Sequence, residues 1–247
     1  MNRTRPTLLA AVLALLAVAA GGGSPAAGAT AAAPPLPPVL SITALGIVQQ
    51  HPSVYGRDGT FSALVGGRSV WSFGDTPLAV PGVSGDHWVD NSMAWTADLD
   101  ASDGIALEGN RLDSTGAPAE FLPLTAAERA YNDAHDVDHC TADPCGAEFA
   151  LWAGPVVPDP ARNRILHLYT EIWRVPGREG WKGVGGGIAV QGANGKVTRP
   201  VQDPDSRTPT LMWTGDDVQF NAASVVVGQM LYAYGCRAGF LVMHCKV

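Results

Sequence analysis

The amino-acid sequence predicts an all-β fold, and three observations carry that expectation. Helix signals are confined to one stretch, residues 125–135 (TAAERAYNDAH), where Thr125 suits an N-cap and Glu128 follows three residues later. Elsewhere, short β-branched and aromatic runs are bounded by Gly, Pro, Asn and Asp, and the 29 glycines and 19 prolines suit many tight turns. A loose repeat also recurs, in residues 61–76 (FSALVGGRSVWSFGDT), 154–172 (GPVVPDPARNRILHLYTEI) and 221–236 (NAASVVVGQMLYAYGC). Each copy runs from small residues through a β run and a turn to a second β run ending in aromatics. Each therefore reads as an antiparallel hairpin, and further strands at 92–98 and 187–191 follow the first two. Repeated small antiparallel sheets are the pattern of propeller blades; a β-sandwich of unrelated hairpins is the alternative.

The two ends of the chain set the domain limits. Residues 1–29 have the three parts of a secretory signal: Arg3 and Arg5, an apolar run of 13 residues at 8–20, and Ala27-Gly28-Ala29 as an A-x-A cleavage site. Thirteen is too short to span a membrane, which takes roughly 20. Residues 30–38 are an Ala/Pro-rich leader, so the folded domain is expected over 39–247, outside the cytoplasm, either secreted or periplasmic. The strand-like FLVMHCKV at 240–247 has no closing turn, and a propeller needs roughly four to eight blades. The expectation is a propeller incomplete at its C-terminus.

Charge and cysteines narrow the function classes. The net charge is −7, and it becomes −9 once Arg3 and Arg5 are removed with the signal. Nucleic acids and anionic membranes both select basic patches, so neither is an expected partner, whereas a neutral polysaccharide is compatible with an acidic surface. A monomer is expected. Export favours disulfides, and the simplest of three connectivities pairs Cys140 with Cys145 and Cys236 with Cys245. Neither spacing is the C-x-x-C of a zinc site.

The chemistry-bearing stretch is residues 56–76. Gly66-Gly67 suits a two-residue type I′ hairpin turn, which fixes a register in which facing residues sum to 133. Val65 then faces Arg68, Phe61 faces Ser72, and one step past the strand Asp58 faces Asp75. Facing carboxylates destabilise a sheet. They also tend to split their pKa values, leaving one as an acid and one ionised, which glycosidic cleavage needs. The loop 85–96 (GDHWVDNSMAWT) is expected at the same rim. There Trp88 suits stacking on a sugar ring, His87, Asp90 and Asn91 suit hydrogen bonds to hydroxyls, and Arg57 suits holding a carboxylate ionised. The loop His135-Asp136-Val137-Asp138-His139 lacks diagnostic ligand spacing and reads as a solvated loop. Gly183–Gly187 (GVGGG) lacks the Lys-Ser/Thr and helix of a phosphate loop, and no G-x-S-x-G occurs. No metal or cofactor is expected.

The motif R-D-G-x-(F/Y)-S, the Gly-Gly hairpin, W-x-F-G-D-T, then N-S and an A-W-T strand resembles the exported family known as domain of unknown function 4185. That family is related to the five-bladed propellers of arabinanases and other furanosidases. The resemblance is strongest over 56–96, and 152–169 and 231–236 look like that family's later blades. It implies a five-bladed propeller glycoside hydrolase, endo-D-arabinanase-like, with Asp58 and Asp75 as catalytic carboxylates. By that resemblance about two further blades are expected beyond the three hairpins. The expected function is a secreted glycosidase acting on a furanose-containing, arabinan-like polysaccharide. The alternative is a non-catalytic carbohydrate-binding propeller.

Overall fold

The computed structural model describes residues 38–175, 180–238 and 243–246. The signal segment 1–29 and nearly all of the leader fall outside them. Every strand described below lies within Ala44–Val247.

The first sheet contains β1 (Phe61–Val65) and β2 (Arg68–Phe73). The chain then makes a small ribbon, β3 (Thr76–Pro77) with β4 (Trp88–Val89), before completing the sheet with β5 (Ser92–Thr96) and β6 (Gly109–Asn110). Helix α1 (Ala126–His135) follows, and Thr125 and Glu128 form its reciprocal capping box. The second sheet is β7 (Glu148–Asp159), β8 (Arg164–Arg174), β9 (Trp181–Gln191) and β10 (Val197–Thr198), with β11 (Trp213–Thr214) also paired to β9. The third is β12 (Gln219–Val227), β13 (Met230–Ala238) and β14 (Met243–Lys246). Orders β1-β2-β5-β6, β10-β9-β8-β7 and β12-β13-β14 are antiparallel throughout.

The protein is therefore all-β, and the three predicted hairpins and the predicted helix are present. The β1–β2 register is the one that sums to 133, from Phe61 opposite Ser72 to Val65 opposite Arg68. Gly66 and Gly67 both have positive φ, 56° and 78°, as a type I′ turn requires. In each sheet the first strand lies against the neighbouring sheet: β7 packs on β1 and β2 on one side and on β12 on the other. The described residues form three such sheets and not a closed ring. Val70, Met93, Phe121, Leu151 and Tyr169 make the core between the first and second sheets. Leu166 and Leu168 pack with Phe220, Val226 and Leu231 between the second and third.

The expected disulfide between Cys140 and Cys145 is formed. Cys236 is opposite Cys245 in the β13–β14 register and is not a free thiol. The side chain of Cys245 lies outside the described residues.

Side chains stitch the sheets together. Asn91, fully buried, donates to Leu151 O (3.1 Å) and accepts from the N–H groups of Phe121 and Leu122 (2.9 Å each). Ser72 Oγ donates to Gly154 O at 2.7 Å. A buried polar group left unpaired costs about 1–3 kcal/mol. Asn91→Ala strands three such groups, so chemical denaturation should show stability lower by several kcal/mol.

A second buried knot joins α1 to β8. Arg199 pairs with Glu128, donates to Thr210 Oγ1, and lies 3.7 Å from Glu171 Oε2. Burial, with the Glu128 charge beside it, pushes Glu171 up to about 8 from 4.5. A folded-state pKa above the unfolded one gives stability that is complete below pH 4.5 and lost as pH rises towards about 8. Glu171→Gln cannot ionise. Its unfolding free energy relative to the parent, read by chemical denaturation, should therefore climb across that window, by at most about 1.4 kcal/mol per pH unit.

Candidate active-site cleft

Asp58 and Asp75 meet where the hairpin predicted they would. The Asp58 N–H donates to Asp75 O (3.0 Å) and the Gly74 N–H donates to Asp58 O (2.8 Å), so Gly74 and Asp75 together oppose Asp58 as a bulge. Both aspartates line a cavity of about 260 Å3 that also takes Trp152, Thr170 and Trp181 from the second sheet and Asn221 from the third. All three sheets thus contribute to one cleft. Its aromatic wall is Trp152 with Trp181, edge-to-face at 4.6 Å between centroids, and Trp181 is 55% exposed. Asn221 Nδ2 donates to Thr170 Oγ1 at 3.1 Å.

The two carboxylates sit in different surroundings. Asp58 is exposed and accepts the Gly59 N–H at 2.6 Å. Asp75 is half-buried; its Oδ1 accepts from Trp152 Nε1 at 3.0 Å and lies 3.8 Å from Arg174 Nη1. Burial raises the Asp75 pKa and the charge of Asp58 adds to it, against Trp152, Arg174 and a weaker polar contact with Trp88. The net shift is upward.

Beside the cleft, Arg174 anchors a carboxylate cluster. Its Nη2 donates to Asp90 Oδ1 and its Nε to Glu148 Oε1, both at 2.6 Å. The Asp90 N–H donates to Glu120 Oε1 at 3.1 Å. Burial, helped by Glu148 and Asp75 and opposed by Arg174, pushes Asp90 up to about 6. Glu120 keeps an exposed surface, yet crowding and the charges of Asp90 and Glu148 push it up to about 7.

The remaining sequence candidates separate into two groups. The pairing of β3 with β4 sets Trp88 (42% exposed) opposite Pro77 and in polar contact with Asp75, whereas exposed His87 sits beside Leu78, its Nδ1 3.1 Å from Leu78 O. Asp90 reaches the cleft margin through Arg174. Arg57 and Asn91 do not face the cleft. The Arg57 guanidinium donates to Ser92, Gln50 and Asn110 and stacks over Phe73 at 4.5 Å, so its donors clamp the first sheet instead of holding Asp58. Burial lowers its pKa to about 10. Asn91 is spent on backbone groups, as described above.

Sequence reasoning missed Trp152, Trp181, Arg174, Glu148, Glu120 and Asn221 at this site. Arg174 and Glu148 face each other in the β7–β8 register, but both lie beyond the predicted hairpin at 154–172, and the bulge between Ala153 and Val156 shifts the register before it reaches them. Among the described residues no group of three or more His, Cys, Asp or Glu side chains is arranged to hold a metal ion.

No protein-family model matches the chain, and no curated protein matches it. Among solved structures it is similar to one described as "a putative hydrolase from Bacteroides ovatus ATCC 8483". The identity is 12% over 78% of this chain and 48% of that one, with a TM-score of 0.38. The chain spans about half the length of that protein.

The Trp152 indole is the hydrogen-bond donor that holds Asp75 in place. Trp152→Phe keeps the ring and removes the N–H, which favours the anion. The Asp75 pKa should then rise further, measurable as a later titration of its carboxyl carbon by NMR.

Proposed function

We propose that this protein is an exported glycoside hydrolase of propeller architecture, with Asp58 and Asp75 as its acid–base pair and a furanose-containing, arabinan-like polysaccharide as its substrate. The observation that carries the reading is the shared cleft: two aspartates joined through their backbone, unequal in burial, under an indole wall contributed by a different sheet. Sugar rings stack on exposed indoles, and Trp181 and Trp88 are both open to solvent. Asp75, with its pKa raised, suits the proton donor to the leaving oxygen; exposed Asp58 suits the base or nucleophile.

The packing of the sheets supports the propeller half of the reading. Each sheet begins with the strand that packs on its neighbour, as in blades around an axis. On the third sheet, Val225 opposite Tyr232 and Val227 opposite Met230 present an exposed apolar face. In a propeller of five blades such a face receives the next blade. The secretory signal at 1–29 and the leader at 30–38 fit export, as does the Cys140–Cys145 disulfide.

The test is release of oligosaccharides from arabinan and arabinogalactan. Asp58→Asn and Asp75→Asn should each lower turnover by about 10²–10⁴-fold with little change in melting temperature. With Asp75 as the acid, activity should fall as pH rises through its elevated pKa, and Asp75→Asn should remove that limb. Full activity in either variant rejects the pair. Polymer binding without any product release from the parent favours the non-catalytic carbohydrate-binding reading.

A further inference from the structure

The first and second sheets share a second cavity at the end opposite the aspartates, beside the Gly66-Gly67 turn. It has a volume of about 510 Å3, within the range of roughly 300–1,000 Å3 usual for small-molecule sites. Its walls come from the facing sides of the two sheets. Arg68 is opposite Val65, on the side of the first sheet that carries Val70 and its partner Trp95. The Arg111 N–H bonds Met93 O at 3.0 Å, which sets Arg111 opposite Met93 on that same side. From the second sheet come Ile165 and Gln191, directly opposed across β8 and β9.

The charged side chains of the lining, Arg68 and Arg111, are both donors. Neither Arg68 nor Arg111 forms an ion pair or side-chain hydrogen bond among the described residues, and no carboxylate is among the cavity's lining residues. In a chain of net charge −7 that is an unusual arrangement. Gln191 Oε1 is engaged with His167 Nε2 at 2.8 Å, which leaves its amide nitrogen without a protein partner among the described residues. Trp95 Nε1 is likewise unpartnered. The Trp95 indole lies flat along β6 because position 109 is glycine: a Cβ there would overlap the indole at Nε1. Burial lowers the His167 pKa to about 4, the Gln191 hydrogen bond opposes this, and the nearby charge of Arg111 adds to the lowering.

We propose that this wedge is a binding site for a small organic carboxylate with an apolar body. Arg68 and Arg111 take the carboxylate, and Trp95, Met93 and Ile165 receive the apolar part. Guanidinium groups match a carboxylate in geometry and charge, and both gain strength beside an apolar wall. The site is separate from the Asp58–Asp75 cleft and does not rest on the glycosidase reading.

The test uses phenylacetate as the probe and phenylacetamide as its uncharged analogue, titrated calorimetrically into the protein. Phenylacetate should bind saturably and phenylacetamide at least about tenfold more weakly, since a charge-assisted bond is worth about 1.5–3 kcal/mol. Arg68→Gln and Arg111→Gln should each weaken phenylacetate by about tenfold, and the double variant should not bind. Arg68 is exposed beside a turn, so its variant folds even if Arg111→Gln does not. Asp75→Asn should leave phenylacetate binding unchanged. Absence of saturable binding, equal affinity for acid and amide, or binding that survives Arg68→Gln unaltered overturns the proposal.

Discussion

Strand β7 is a sheet edge, and the rest of the molecule is arranged around that fact. It pairs only with β8, so its outer backbone groups have no strand to receive them. Side chains from three other places do so instead. Asn132 of α1 bonds both the N–H and the C=O of Phe149 (2.8 and 2.9 Å), Asn91 bonds Leu151 O, and Ser72 bonds Gly154 O. These sites follow the two-residue period of a strand, shifted by one where the ladder bulges between Ala153 and Val156. Each bond closes a group that water cannot reach easily, so together they set the first sheet, the second sheet and the helix in one relation.

That relation builds the cleft. Trp152 lies between two of the capped positions on β7, and its indole N–H arrives at Asp75 Oδ1 because Asn91 and Ser72 hold β7 against the first sheet. Arg174, across the ladder from Glu148, then spans the same junction to Asp90 and Asp75. A guanidinium surrounded by three carboxylates offsets their mutual repulsion and lets the like charges stay close. Gly154 keeps the far side of the cleft open. A side chain there would press on Leu168 O at 3.1 Å and meet Asn221, closing the space between the second and third sheets.

How much of this was legible depended on the distance over which each interaction acts. The Gly66-Gly67 turn fixes its register locally, so the facing of Asp58 and Asp75 followed from a few consecutive residues. The capping box at Thr125 and Glu128 is equally local. Arg57 and Asn91 were misread because a polar residue near a catalytic motif advertises donors and acceptors but not their direction. Arg57 finds Ser92 and Asn110 at 35 and 53 residues' distance along the chain, and the partners of Asn91 lie 30 to 60 residues away. Trp152 and Trp181 belong to the cleft only through sheet-on-sheet packing, which no local pattern encodes. The blade-like repeat was visible, but a repeat does not say how many sheets the described chain assembles.

The core-facing sides of the first two sheets end differently at their two limits, and the difference is electrostatic. At one limit the chain gathers Asp75, Asp90 and Glu148 around Arg174, with Asp58 next to Asp75 and Glu120 next to Asp90. At the other, Arg68 and Arg111 stand with no acid beside them. The strands between are about five or six residues long, roughly 15–20 Å, about two Debye lengths at physiological salt. Each end therefore keeps its own potential and neither neutralises the other. The apolar core between them, Val70, Met93, Leu151 and Tyr169, holds the two ends that far apart, and the salt solution outside screens what passes between them. The hydrophobic packing that joins the sheets is thus also what lets one pair of sheets carry an acidic cleft and a basic one.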